Sequence, residues 1–143
     1  MRWSLTFDCA DPAALAGFWR LALGYVDGPP PEGFTSWPEY LAAVGVPAQE
    51  RDDGAFITDP EGIGPPISFL KVPEPKPAKN RVHLDVQAGG GRGESWAVRW
   101  PRVTAAVERL TAAGAMVIAE VAHDGTPDHV VLADPEGNEF CVL

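Results

Sequence analysis

From Arg2 to Cys9 the residues alternate strictly, with Trp3, Leu5, Phe7 and Cys9 on one side and Arg2, Ser4, Thr6 and Asp8 on the other. A period of two predicts a half-buried strand. The period then changes. Asp11 offers an N-cap oxygen, and Pro12 a first helical residue whose missing N–H costs nothing there. Leu15, Phe18, Trp19, Ala22 and Leu23 then fall on one apolar stripe that Gly24 can close, which predicts an amphipathic helix packed on strands. Between Asp27 and Gly33 the Pro/Gly density predicts irregular chain, and Ser36 with Pro38 predicts a short helix through Val44 inside an inserted segment.

Ala55–Thr58 and Ile67–Val72 read as strands joined across Asp59-Pro60-Glu61-Gly62, a sequence suited to a type I turn. Three prolines among charged residues then mark an extended connector over about 73–80. After Asn80 the pattern begins again. Val82, Leu84 and Val86 oppose Arg81, His83, Asp85 and Gln87, and Gly89–Gly93 reads as a flexible connection. Val103, Val107 and Leu110 mark a helix ending at Gly114, with Arg99 and Arg102 expected to flank its start as a solvated face. Ala115–Val121, Val130–Ala133 and Glu139–Leu143 read as strands, and Asp134-Pro135-Glu136-Gly137 repeats the earlier turn word for word. The matched order predicts an α+β chain of two tandem βαβββ modules, about 1–72 and 81–143, within a single domain, 1–143. One helix can cover only one face of each module's strands, so a curved, mostly antiparallel sheet around an open cleft is expected, its polar face being the place for a site.

Composition narrows the partners. Apolar residues make up 45% and charged residues 22% of the 143, the balance of a folded protein. A net charge of -9 excludes nucleic acid and anionic membrane surfaces as expected partners. No apolar run approaches the roughly 20 residues that span a bilayer. Two cysteines and no secretory leader pattern lead to the expectation of a cytoplasmic protein with free thiols.

Several stretches look familiar. The strand into Asp8-Cys9-Ala10-Asp11-Pro12, then Leu15-Ala16, Phe18-Trp19 and Leu23-Gly24-Tyr25, resembles the first module of glyoxalase-like domain proteins of the vicinal oxygen chelate superfamily. The segments Val72–Lys76, Lys79–Asp85 and Ala133–Cys141 extend that resemblance over essentially the whole chain. It implies a family of lyases, ring-cleaving dioxygenases, thiol transferases, epimerases and metal-free binding proteins, which share a fold and not a substrate. In metal-dependent members it implies one His, Gln or Glu ligand on the first and on the last strand of each module.

Tested position by position, His83 is a matching donor. Its counterpart in the first module is Ser4 or Thr6, the last-strand position of that module is Leu70, and Cys141 stands where metal-dependent relatives carry Glu, with Glu139 two residues earlier on the same face. The chelating set reads as incomplete. The expected function is therefore binding of a small organic molecule in the cleft by Thr6, His83, Asp85, Glu139 and Cys141, with no cofactor expected. The alternatives are a metal-dependent lyase, isomerase or dioxygenase that binds a divalent metal through His83 and Glu139, and an interaction subunit; a homodimer is expected. Cys141 reads as a spectator thiol, since no base stands at a diagnostic spacing. His123 and His129 read as solvated loop residues. Trp37, Tyr40, Trp96 and Trp100 read as packing groups or the roof of a pocket.

Overall fold

A computed structural model describes residues 3–143. Its elements are β1 (Leu5–Cys9), α1 (Pro12–Leu23), β2 (Val26–Asp27), α2 (Trp37–Ala43), β3 (Gly54–Thr58), β4 (Ile67–Lys71), β5 (Asp85–Val86), α3 (Trp96–Ala112), β6 (Met116–His123), β7 (Thr126–Ala133) and β8 (Glu139–Val142). The chain divides into a compact unit ending at Pro75 and a second, Lys76–Leu143. Each holds one four-stranded sheet, ordered β1-β4-β3-β2 in the first and β5-β8-β7-β6 in the second. In both, the first strand runs parallel to the last and the remaining pairs are antiparallel. The two sheets thus have one topology, that of the tandem βαβββ modules.

In the first unit α1 is capped as its sequence requires. The Asp11 carboxylate accepts from the Ala14 N–H at 3.0 Å, and Gly24 closes the helix at φ 72°. Leu15, Phe18 and Trp19 are buried, and the Trp19 ring meets Phe7 of β1 at 5.2 Å, while Phe7 stacks on Phe69 of β4 at 5.4 Å. Each such side chain removed from water contributes about 1.5–3 kcal/mol. Alternation then leaves Thr6 and Asp8 on the exposed face. The expected strand from Arg2 begins later: Trp3 is 63% exposed, because the ladder to β4 opens only where the Leu5 N–H meets the Pro66 carbonyl. Arg2 itself lies outside the described residues. Val26–Asp27, of which Asp27 was expected to open the irregular segment, add a short edge strand on β3.

The second unit departs further from expectation. Its first strand is only Asp85–Val86, and Val82 is 71% exposed. Parallel pairing with β8 starts where Leu84 accepts from the Cys141 N–H, so nothing upstream of Leu84 is held in the ladder. The helix α3 starts at Trp96, beyond Ser95, earlier than its apolar residues alone mark. Arg99 is thereby inside the helix and in phase with Val103, Ala106 and Leu110, the buried stripe of a helix that packs on β7 and β8. Gly89–Gly93 is not merely a flexible connection: Gly89 is buried, its N–H donates to the Leu143 carbonyl, and its own carbonyl accepts from Arg102.

Both Asp-Pro-Glu-Gly turns are held by their aspartate. Asp59 accepts from the Glu61, Ile63 and Gly64 N–H groups. Asp134 accepts from the Glu136 and Asn138 N–H groups and from the Asn138 side chain. Asp134 is fully buried, so its turn is part of the core.

Candidate functional site

Pairing of β5 with β8 sets the site's geometry. Asp85 stands opposite Cys141 in parallel register, and Glu139, two residues earlier on β8, faces the same way. His83 extends the first-strand line by another two residues. Its Nε2 lies 3.3 Å from Glu139 Oε2, and its Nδ1 lies 3.9 Å from Cys141 Sγ. Four of the five expected binding residues, His83, Asp85, Glu139 and Cys141, are therefore one cluster. Thr6 belongs to the first unit, where it pairs with Ser68 on the exposed face of β1.

Two residues of the expected connector complete the cluster. The Lys79 ammonium forms an ion pair with Glu139 Oε2, and Asn80 Oδ1 accepts from the Glu139 N–H at 3.2 Å. The Lys79 hydrogen bond holds the Glu139 carboxyl below its ordinary range. Burial pushes the Cys141 thiol up, and so does the Asp85 carboxylate beside it, which repels the thiolate and accepts the thiol's hydrogen bond. The sulfur accordingly rests protonated at neutral pH.

A second polar cluster sits where α3 meets the start of β7. The Asp128 carboxylate takes a two-pronged bond from Arg92, both contacts at 2.8 Å, and a third from Arg99 at 3.1 Å. Arg99 also donates to the Asp128 carbonyl at 2.6 Å, and His129 Nδ1 lies 3.0 Å from the other carboxylate oxygen. The His129 bond is the largest influence, opposed by burial and reinforced by Arg92 and Arg99; together they hold the Asp128 carboxyl at about 2. Arg99 is thus buried and paired, not part of a solvated face. His129 lies within β7, because Asp124 (φ 50°) and Gly125 (φ 79°) turn β6 into β7 as a two-residue hairpin. The Asp-Gly pair is the signal that sequence reasoning passed over.

The aromatic residues are engaged within their own units. Trp37 meets Phe56 edge-on at 5.9 Å and donates to the Gly28 carbonyl, while Tyr40 packs on Phe34 and Trp37. Trp96 stacks on Trp100 and donates to the Pro127 carbonyl.

The profile of the glyoxalase-like domain matches residues 4–143. The chain belongs to that family. Solved structures agree on the fold. A structure described as a possible glyoxalase from Bacillus cereus superposes with a TM-score of 0.60 at 16% identity, covering 100% of this chain and 97% of the other. A glyoxalase/bleomycin resistance protein/dioxygenase family enzyme from Burkholderia phytofirmans gives 0.59 at 17%, covering 97% and 94%. A point mutant of the fosfomycin resistance protein FosX from Listeria monocytogenes, complexed with Mn(II) and a dihydroxypropylphosphonic acid, gives 0.58 at 13%, covering 97% and 85%. A search of curated proteins gave no match. These likenesses carry the vicinal oxygen chelate fold and nothing about the substrate.

Metal-dependent relatives of this glyoxalase-like chain raise the question of whether its second unit could hold a divalent ion. The donors of the second unit, taken by themselves, fall short of one. Cys141 faces the opposite nitrogen of the His83 ring from Glu139, so His83 and Glu139 make at most a pair of donors on one side, short of the three that a site needs. Glu139 Oε2, the oxygen nearest Nε2, is engaged by the Lys79 ammonium. Among the described residues no group of three or more His, Cys, Asp or Glu side chains is arranged to hold a metal. No helix among them is long and apolar enough to cross a membrane.

Proposed function

We propose that this glyoxalase-like protein binds a small polar organic molecule on the exposed sheet face around His83, Asp85, Glu139 and Cys141, without a metal centre. The observation that carries the reading is the Lys79 ammonium on Glu139: a cation of the chain itself stands beside the carboxylate that a metal-dependent site would leave free. Two carboxylates against one ammonium favour a neutral or cationic ligand with hydrogen-bond donors, and the net charge of -9 acts in the same direction. The specific observation favouring a second reading, a metal-dependent lyase, isomerase or dioxygenase, is the Mn(II) complex of FosX.

Elemental analysis of the purified, untagged protein after exposure to Mn, Fe, Ni and Zn salts, paired with thermal unfolding across a library of small polar amines and alcohols, separates the two. The expected result is metal far below one equivalent, and a ligand-induced rise in Tm that survives EDTA. About one equivalent of metal, lost together with its stabilisation on His83→Ala, would replace the metal-free reading with the metal-dependent one.

A further inference from the structure

We propose that Cys141 is a nucleophilic thiol that captures small electron-poor alkenes conjugated to a carbonyl, with His83 as its base and Glu139 as the residue that positions His83. This goes beyond non-covalent binding and does not depend on it. The Glu139 carboxylate at 3.3 Å from His83 Nε2 favours the tautomer that carries its proton there. Nδ1 is then the ring's lone pair, and Nδ1 is the nitrogen that faces Cys141 Sγ at 3.9 Å. Glu139 in turn pairs with Lys79 at its side chain and donates its N–H to Asn80. Nucleophile, base and orienting acid stand in the sequence that covalent catalysis requires. The separation of sulfur and nitrogen is long for a hydrogen bond, a looseness common before substrate is bound.

The chemistry balances without an oxidant or a leaving group. The Cys141 S–H, which rests on the Asp85 carboxylate, turns to His83 Nδ1 and passes its proton there as the sulfur lone pair forms the S–C bond to the β-carbon. The π pair of the alkene moves onto the carbonyl system, and the α-carbon takes the proton back from His83. The product is a thioether adduct. The other cysteine is an internal control, since Cys9 is buried at 3% exposure.

The test is the rate at which the intact folded protein reacts with N-ethylmaleimide at pH 7, followed by whole-protein mass and peptide mapping, beside N-acetylcysteine in the same buffer. Burial and Asp85 push the thiol up, so without a base Cys141 would react more slowly than the free thiol. The expected result is a single adduct at Cys141 forming about 10-fold faster than on N-acetylcysteine or more, within the range of general-base assistance. In His83→Ala that advantage is lost and added imidazole restores part of it; in Glu139→Gln it shrinks. A wild-type rate at or below that of N-acetylcysteine overturns the proposal without recourse to any variant. So does a His83→Ala protein, folded by circular dichroism, that reacts as fast as wild type. Thermal shift with non-reactive ligands reads the binding proposal separately, so the two can fail independently.

Discussion

Replacing Asp128 by Asn tests whether the buried carboxylate between α3 and β7 holds the second unit together through its charge. The carboxyl sits at about 2 in the folded chain against an ordinary 3.8. A gap of nearly two pH units is worth about 2.5 kcal/mol at 1.36 kcal/mol each. Arg92 is more than half exposed, and solvent screening reduces the figure to about 1–2 kcal/mol. The substitution also leaves Arg99, nearly inaccessible to water, without its anion. Breaking a buried pair costs about 3–5 kcal/mol, but the Arg99 bond to the residue-128 backbone carbonyl survives the change. The expected loss at pH 7 is therefore about 2–4 kcal/mol.

The pH dependence has a definite sign. A depressed folded pKa gives stability that is present above the unfolded value and lost as pH falls through the folded one, here between about 4 and about 2. Wild type should lose about half of this ionic contribution by pH 3, while Asp128→Asn has none to lose, so their urea midpoints should draw together. Urea unfolding of both proteins at pH 7 and pH 3 reads this directly. A pH 7 penalty below about 0.5 kcal/mol, or a gap that fails to narrow at pH 3, would refute the reasoning.

Asp134→Ala removes a fully buried carboxylate with four hydrogen bonds and should cost about 2–4 kcal/mol in urea unfolding; Asp59→Ala, in the matching and less buried turn of the first unit, should move the midpoint less. Gly89→Ala would place a methyl group 2.3 Å from Arg99 Cγ and 3.2 Å from the Leu143 carbonyl oxygen, and a loss of about 1–3 kcal/mol is expected from thermal unfolding. Trp37→Ala removes the edge contact to Phe56 and the bond to the Gly28 carbonyl, so limited proteolysis should cut the 28–54 segment faster while Tm changes little.

The architecture was legible because its signals are local. Asp11, Pro12 and Gly24 bound α1 by cap chemistry that acts within one turn, and the strict alternation from Leu5 to Cys9 can only be a strand with one buried face. The repeated Asp-Pro-Glu-Gly turns gave the second module its register relative to the first. What was not legible depends on partners far along the chain. Arg99 looks like a solvated cation until α3 is known to start at Trp96, and its acid lies 29 residues on. The imidazole near Cys141 lies 58 residues away in sequence, brought beside it only by parallel pairing of β5 with β8. Lys79 read as connector because no local pattern ties it to Glu139, 60 residues later.

The repeat also sets a test of where the chemistry resides. Asp8 of β1 and Asp85 of β5 are equivalent positions, and each stands in parallel register with a residue of the last strand of its own sheet: Leu70 in the first unit, Cys141 in the second. The same topology therefore presents the same carboxylate to an isobutyl group in one copy and to a thiol in the other. Two residues upstream the contrast recurs, with Thr6 in the first copy and His83 in the second. The first unit carries no histidine to activate the Thr6 hydroxyl, and the Leu70 side chain, half exposed as it is, offers neither a base nor a nucleophile. A fold that supplies two equivalent positions has loaded only one with a thiol and an imidazole, so the chemistry proposed for Cys141 is a property of the second module. Thr6→Val or Leu70→Ala should leave the N-ethylmaleimide rate at Cys141 unchanged, whereas Asp85→Asn, which removes the carboxylate that raises the thiol, should increase it.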